Sequence, residues 1–186
     1  MSSADRLTPF SYVVLVLIGE GGAGPHDLRR MMERGRVYWT AAPSQYYAEA
    51  KRLAERGYLA GRREPGRTRE RTHYMLTARG REALAVWSRS PAAFPRIQSE
   101  PVVRLLAVDL VGPEAALEGL RALRTEIDEL RARIAEGEQV AATLPRRERA
   151  LMLNHRLGRR LLDAHAEWLD DVERELGGGA DRGIGG

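Results

Sequence analysis

The sequence predicts a mainly α-helical protein in two parts, and three observations carry that prediction. Within residues 1–90, four segments of helical periodicity are joined by turns and by two short strand-like runs, Tyr58 to Arg63 and Thr72 to Thr77. A proline-bearing break follows, Ser88-Arg-Ser-Pro-Ala-Ala-Phe-Pro95. Beyond it, apolar residues recur at alternating steps of three and four, as in long helices with an apolar seam. With 186 residues and 43% hydrophobic content, the chain is long enough for one or two ordinary domains with a real core.

Thr8-Pro9 opens the first helix, a capping residue followed by proline at the first helical position. Phe10, Val13, Val14 and Leu17 then share a face, and the helix spans about 9–20. Gly21-Gly-Ala-Gly24 turns the chain, and a second helix runs from Pro25 to about Arg34 through Leu28, Met31 and Met32. A third runs from Pro43 to Arg56 with Tyr46, Ala50 and Leu53 inward, and Gly57 is suited to end it. Tyr46 and Tyr47 point about 100° apart on a helix, which assigns Tyr46 to the core and Tyr47 to the exposed face. Between the strands, Glu64 to Arg71 contains a Pro-Gly turn signal, giving a hairpin with a basic tip. Ala78 to about Ser88 returns to helix and buries Leu84 and Trp87. Helix, helix, helix, strand, strand, helix is the order of a winged helix-turn-helix.

The boundary falls near Pro91, so residues 1–90 form the winged helix-turn-helix and 91–176 a helical dimerisation domain. Residues 177–186 hold six glycines and no apolar period, which predicts a disordered tail. Val102 to Val111 reads as a short buried helix. From Pro113 a long helix carries Leu120, Leu123, Ile127, Leu130, Ile134, Gly137, Ala141 and Leu144 along one seam. After Pro145 another extends to Leu176 with Leu151, Leu157, Leu161, Trp168 and Val172 on one face. Such a seam needs cover, from the chain itself or from a second copy. Leu120, Leu123, Ile127, Leu130, Ile134, Leu161 and Trp168 are the candidate dimerisation residues.

Charge is unevenly divided. Residues 1–90 carry 16 Lys+Arg against 9 Asp+Glu, whereas residues 91–186 carry 14 against 17. The two parts therefore face different partners. The absence of cysteine excludes disulfide scaffolds, thiolate catalysis and Cys-ligated zinc. No pair of the four histidines, His26, His73, His155 and His165, has the i, i+3 or i, i+4 spacing of a helical metal site. Neither a phosphate loop nor a nucleophile elbow nor a dinucleotide fingerprint is present, so neither enzyme activity nor a cofactor is expected. The longest apolar run, Tyr12 to Ile18, is too short for a membrane span, and the reading is a cytoplasmic protein.

A winged helix places its third helix in the major groove of double-stranded DNA and its hairpin along the backbone or minor groove. The residue types fit. Ser44, Gln45 and Tyr47 stand at the start of the third helix with Lys51 a turn beyond, and glutamine can address adenine through two hydrogen bonds. Lys51 to Arg71 holds eight bases and three acids, with Arg67, Arg69 and Arg71 at the wing tip and His73 in the second strand. These are the candidate DNA-binding residues. A rival reading is a protein-interaction module whose basic face binds an acidic partner.

The run Pro43-Ser-Gln-Tyr-Tyr-Ala-Glu-Ala-Lys-Arg-Leu-Ala-Glu-Arg-Gly-Tyr-Leu59, followed by Thr72-His-Tyr-Met-Leu-Thr-Ala-Arg-Gly80, resembles the PadR family of transcriptional regulators. Tyr47, Lys51, Arg52, Leu53, Gly57, Tyr74, Leu76, Thr77 and Gly80 fit the family's pattern, as does Leu7-Thr-Pro9. The helical second half, with Trp168 near its end, is similar to the longer subgroup with a C-terminal dimerisation domain. Departures fall at Gly24-Pro25-His26, Ala42 and Ala50. The resemblance implies a homodimeric, sequence-specific repressor of an operator, and in some relatives a response to phenolic compounds or drugs. Trp87, Asn154, His165 and Trp168 are the candidate residues for a small aromatic effector.

Overall fold

The computed structural model describes residues 7–19, 21–34, 38–39, 41–65 and 71–177. The predicted tail, from residue 178 onward, and the wing-tip Arg67 and Arg69 lie outside them. The chain divides into two compact units, Met1–Phe94 and Pro95–Gly186.

In the first unit, α1 (Pro9–Ile18), α2 (Pro25–Arg34) and α3 (Pro43–Glu55) are followed by β1 (Leu59–Glu64), β2 (Arg71–Leu76) and α4 (Ala78–Arg89). This is the predicted winged helix-turn-helix order. Thr8 caps α1 by a reciprocal pair of bonds: its hydroxyl accepts from the Ser11 amide at 3.2 Å, and the Thr8 amide donates to Ser11 Oγ at 2.8 Å. The core is formed by Val14, Leu15, Ile18, Leu28, Tyr46, Ala50 and Leu53. Gly57 ends α3 at φ +74, its own amide bonding to the Ala54 carbonyl and that of Tyr58 to Leu53, both at 2.9 Å.

The strands pair antiparallel from Leu59 opposite Leu76 to Glu64 opposite Arg71. The glycine-rich turn does more than reverse the chain. Ala23 exchanges two backbone hydrogen bonds of 3.0 Å with Tyr74, so the turn lies against β2 as a one-residue third strand. That approach explains Gly22: at φ +74, a Cβ there would stand 2.8 Å from the Tyr74 carbonyl oxygen and would also meet the His73 ring. Thr77 joins the wing to the third helix, since its hydroxyl donates to the Gly57 carbonyl at 2.7 Å and accepts from the Gly80 amide at 3.1 Å. Trp87 is a correction to the sequence reading. It is not buried but 42% exposed, stacked on Tyr12 with ring centroids 4.6 Å apart, because the outer face of α4 leaves only one ring face covered.

The second unit comprises α5 (Glu100–Leu106), α6 (Val108–Val111), α7 (Pro113–Ala142) and α8 (Glu148–Gly177). The α7 and α8 helices form a hairpin. Its inner face is made by Ala116, Leu120, Ile127, Ile134, Gly137 and Ala141 on α7 and by His155, Gly158, Leu162, Leu169 and Val172 on α8. The expected α8 face is therefore turned by about one position. Leu157 is half exposed, and Leu151, Leu161 and Trp168 flank the seam, because His155 and Gly158 occupy the close contact that the larger apolar residues were expected to make. The expected single buried helix over Val102 to Val111 is instead two short helices that meet at Ala107 and bury no residue within one chain. Charged pairs lace the hairpin: Arg124 with Asp170 at 2.7 Å and Glu173 at 3.0 Å, Arg131 with Asp163 at 2.7 Å, and Arg159 with Glu138 at 2.6 Å. No helix among the described residues is long and apolar enough to cross a membrane.

Candidate nucleic-acid interface

The third helix presents two faces of different chemistry. Tyr46 is 2% exposed and meets Phe10 edge-on, with ring centroids 5.1 Å apart, while Tyr47 is 45% exposed. Burial raises the Tyr46 phenol above its usual range. On the outer face Ser44, Tyr47, Ala48, Lys51 and Glu55 follow one another at helical spacing. Lys51 is paired only loosely with Glu55, at 3.8 Å between two well-exposed side chains, so a phosphate can take it at little cost.

Arg52, in contrast, is structural. Its guanidinium grips Glu49 in a fork, at 2.8 and 2.6 Å, and donates to Ser11 Oγ at 3.0 Å, tying α3 to α1. Burial alone would raise the Glu49 carboxyl, but the Arg52 fork and the Ser11 hydroxyl outweigh it and hold the group below the usual carboxylate range.

Gln45 starts the helix as well as facing out. Ala42 has no side-chain acceptor to cap α3, and Gln45 Oε1 accepts the Ala42 amide at 2.9 Å instead. Its amide nitrogen remains the group that can address a base.

On the wing, Arg71 begins β2 with its side chain 62% exposed. His73 is less open than an exposed phosphate contact would be: its side chain is 23% exposed and lies against Gly22. Arg62, 74% exposed on β1, is a cation the sequence reading did not single out. The signal was present in strand alternation, which puts Arg62 two residues from Glu64 and on the same face.

The other predicted residues lie elsewhere. Leu120, Ile127 and Ile134 are buried inside the hairpin of a single chain, and Leu123, Leu130, Leu161 and Trp168 are half-buried along its edges. Of the effector candidates, Trp87 belongs to the first unit and the other three to α8. His165 and Trp168 are one turn apart, with His165 Nδ1 2.7 Å from the Leu161 carbonyl oxygen. Asn154 is three turns from His165, about 16 Å along the axis. No cluster of three or more metal-ligating side chains occurs among the described residues.

An exposed helix face backed by a winged hairpin, followed by a helical hairpin unit, defines a class of two-part winged-helix proteins, and comparison with known proteins agrees. Residues 97–177 match the family model described as Virulence activator alpha C-term. Bacillus subtilis PadR in complex with operator DNA is similar at a TM-score of 0.78, with 18% identity over 92% of this chain and 99% of that one. The Vibrio cholerae virulence activator AphA is similar at a TM-score of 0.68, with 25% identity over 90% of this chain and 98% of that one. Bacillus subtilis PadR in complex with p-coumaric acid is similar at 0.64, with 18% identity over 90% and 98%. A search of the curated proteins found no match. The chain has the fold of the PadR and PadR-like transcriptional regulators.

Proposed function

We propose that the chain is a cytoplasmic, non-enzymatic, DNA-binding transcriptional regulator that binds an inverted-repeat operator as a homodimer and acts as a repressor. The observation that carries the reading is the outward face of α3, with Ser44, Tyr47 and Lys51 exposed at helical spacing in the same unit as the wing cations Arg62 and Arg71. Hydroxyls, an amide and flexible cations are the groups that hold phosphates and read base edges. The operator complex of the similar Bacillus subtilis protein supports the same partner. Selection from random duplexes at moderate salt tests it: enrichment of a two-fold-symmetric site is expected. A folded protein that enriches no site would favour the rival, a basic module for an acidic protein.

Dimerisation is supported by apolar surface that one chain leaves open. Val103 is 65% exposed, Leu106 71%, Leu110 82% and Val111 57%, all on the short helices α5 and α6. A second copy would cover these together with the half-buried edge residues Leu123, Leu130, Leu161 and Trp168. Leu110→Asp leaves the hairpin core untouched and should give a folded monomer with weak operator binding. A folded dimer from that substitution would remove α6 from the interface. A small aromatic effector is a further part of the reading, supported by the p-coumaric acid complex of the similar protein and by the open ring of Trp87. Tryptophan fluorescence against planar phenolics, followed by operator competition, tests binding and regulation in turn.

A further inference from the structure

One acid stands among the cations of the wing. Arg62 and Glu64 lie two apart on β1, and their register partners are His73 and Arg71 on β2, so the four side chains share one face of the hairpin. Glu64 Oε1 accepts from the Arg62 guanidinium at 2.6 Å, while Oε2 stands 3.7 Å from Arg71 and 3.9 Å from His73 Nδ1. The acid sits low, 20% exposed, and the two guanidiniums reach out above it at 74% and 62%. The Arg62 bond foremost, with the nearby positive charge of Arg71 adding to it, holds the Glu64 carboxyl below the usual range, so it is ionised at neutral pH. A single carboxylate thus engages both of the described wing arginines that could reach a phosphate from this face.

We propose that Glu64 sets the affinity of the wing for DNA: its carboxylate competes with duplex phosphates for Arg62 and Arg71 and so lowers the part of binding that does not depend on sequence. This rests on the DNA-binding reading above. Each phosphate neutralised by a cation contributes about 0.9 to the slope of log K against log salt, and a cation already paired to a carboxylate contributes less. The exposed pair is weak enough for phosphate to displace it, which makes Glu64 a brake rather than a block.

The test is Glu64→Gln in the full chain, which keeps an acceptor for Arg62 and removes the charge. Binding is measured by fluorescence anisotropy across a salt series, on a duplex enriched by selection and on a random-sequence duplex of equal length. Binding should tighten about two- to fivefold on both, with a salt slope steeper by about one to two. With Arg62→Gln and Arg71→Gln already present, the same substitution should gain less than about 1.5-fold, because the pairs it would release are gone. Unchanged or weaker binding by the folded variant overturns the proposal. An equal gain in the arginine-free background also overturns it, assigning the effect to net charge alone. If Glu64→Gln melts below the assay temperature, Glu64→Thr, a good strand former, carries the same comparison. Wild-type protein that binds no duplex defeats the DNA-binding reading itself, an outcome distinct from a wild type that binds and a variant that gains nothing.

Discussion

Gly137 lies directly against the His155 ring, and the geometry sets what a single methyl group there should cost. A Cβ on Gly137 would stand 2.9 Å from His155 Nε2 and 3.0 Å from Cε1, too close for either atom to remain in place. His155 is 9% exposed, so its ring has little room to move away. Overpacking of this kind costs about 1–3 kcal/mol, against which replacing glycine by alanine in a helix interior gains about 1 kcal/mol. Gly137→Ala should therefore destabilise the hairpin by up to about 2 kcal/mol. In a His155→Ala background the clash is absent, and the same Gly137→Ala change should stabilise by about 1 kcal/mol. The coupling between the two positions is then about 1–3 kcal/mol. Urea unfolding of the four variants, each also carrying Trp39→Phe and Trp87→Phe so that Trp168 is the one tryptophan left, followed by fluorescence and far-ultraviolet circular dichroism, measures it. Stabilisation by Gly137→Ala in the otherwise unchanged protein, with coupling near zero, would show that His155 does not fill the space opposite the glycine.

Burial depresses the His155 imidazole below its usual 6.5, with Glu138 pulling the other way and Arg159 adding to the depression. A base held neutral in the fold binds fewer protons than in the unfolded chain, so hairpin stability should be full above about pH 6.5 and fall as the pH drops through the lower folded value. His155→Leu should flatten the unfolding midpoint between pH 7.5 and 5.5, and an unchanged slope would place the titration elsewhere. Gly22→Ala puts a side chain at φ +74 against the Tyr74 carbonyl oxygen and should cost about 1–3 kcal/mol, read as a lower thermal midpoint for the first unit. Gln45→Ala should alter sequence preference by about 1–3 kcal/mol and also loosen the start of α3, since the Ala42 amide loses its acceptor. Arg71→Ala should instead weaken all duplexes alike and flatten the salt slope by less than about one unit, because Glu64 already engages this cation. A change of preference from Arg71 with none from Gln45 would reverse their roles.

The winged-helix order was legible because each of its signals is local. Thr8-Pro9 and Gly57 punctuate the chain at helix ends whose chemistry involves only neighbouring residues. Tyr46 and Tyr47 were separable for the same reason, by a rotation along a single helix. The third-strand role of Ala23 was not legible, because it depends on a partner some fifty residues away that only the tertiary fold supplies. The phase of α8 was misread because the largest apolar residues were assumed to mark the seam. Close-packed helices put small residues there, and Gly137 opposite His155 and Gly158 mark it instead. At the candidate interface the residue types were visible, but their competing bonds were not: Gln45 also caps its own helix, and Glu64 engages the wing cations.

Methylation interference on a duplex enriched by selection tests whether the outer face of α3 enters the major groove and whether two copies do so together. Methyl groups at guanine N7 project into the major groove, where α3 is to lie. Two interference patches are expected on one side of the duplex, about 34 Å apart, with Tyr47→Ala and Lys51→Ala each weakening both patches equally. Interference confined to the minor groove, or a single patch that both variants leave unchanged, would contradict that docking.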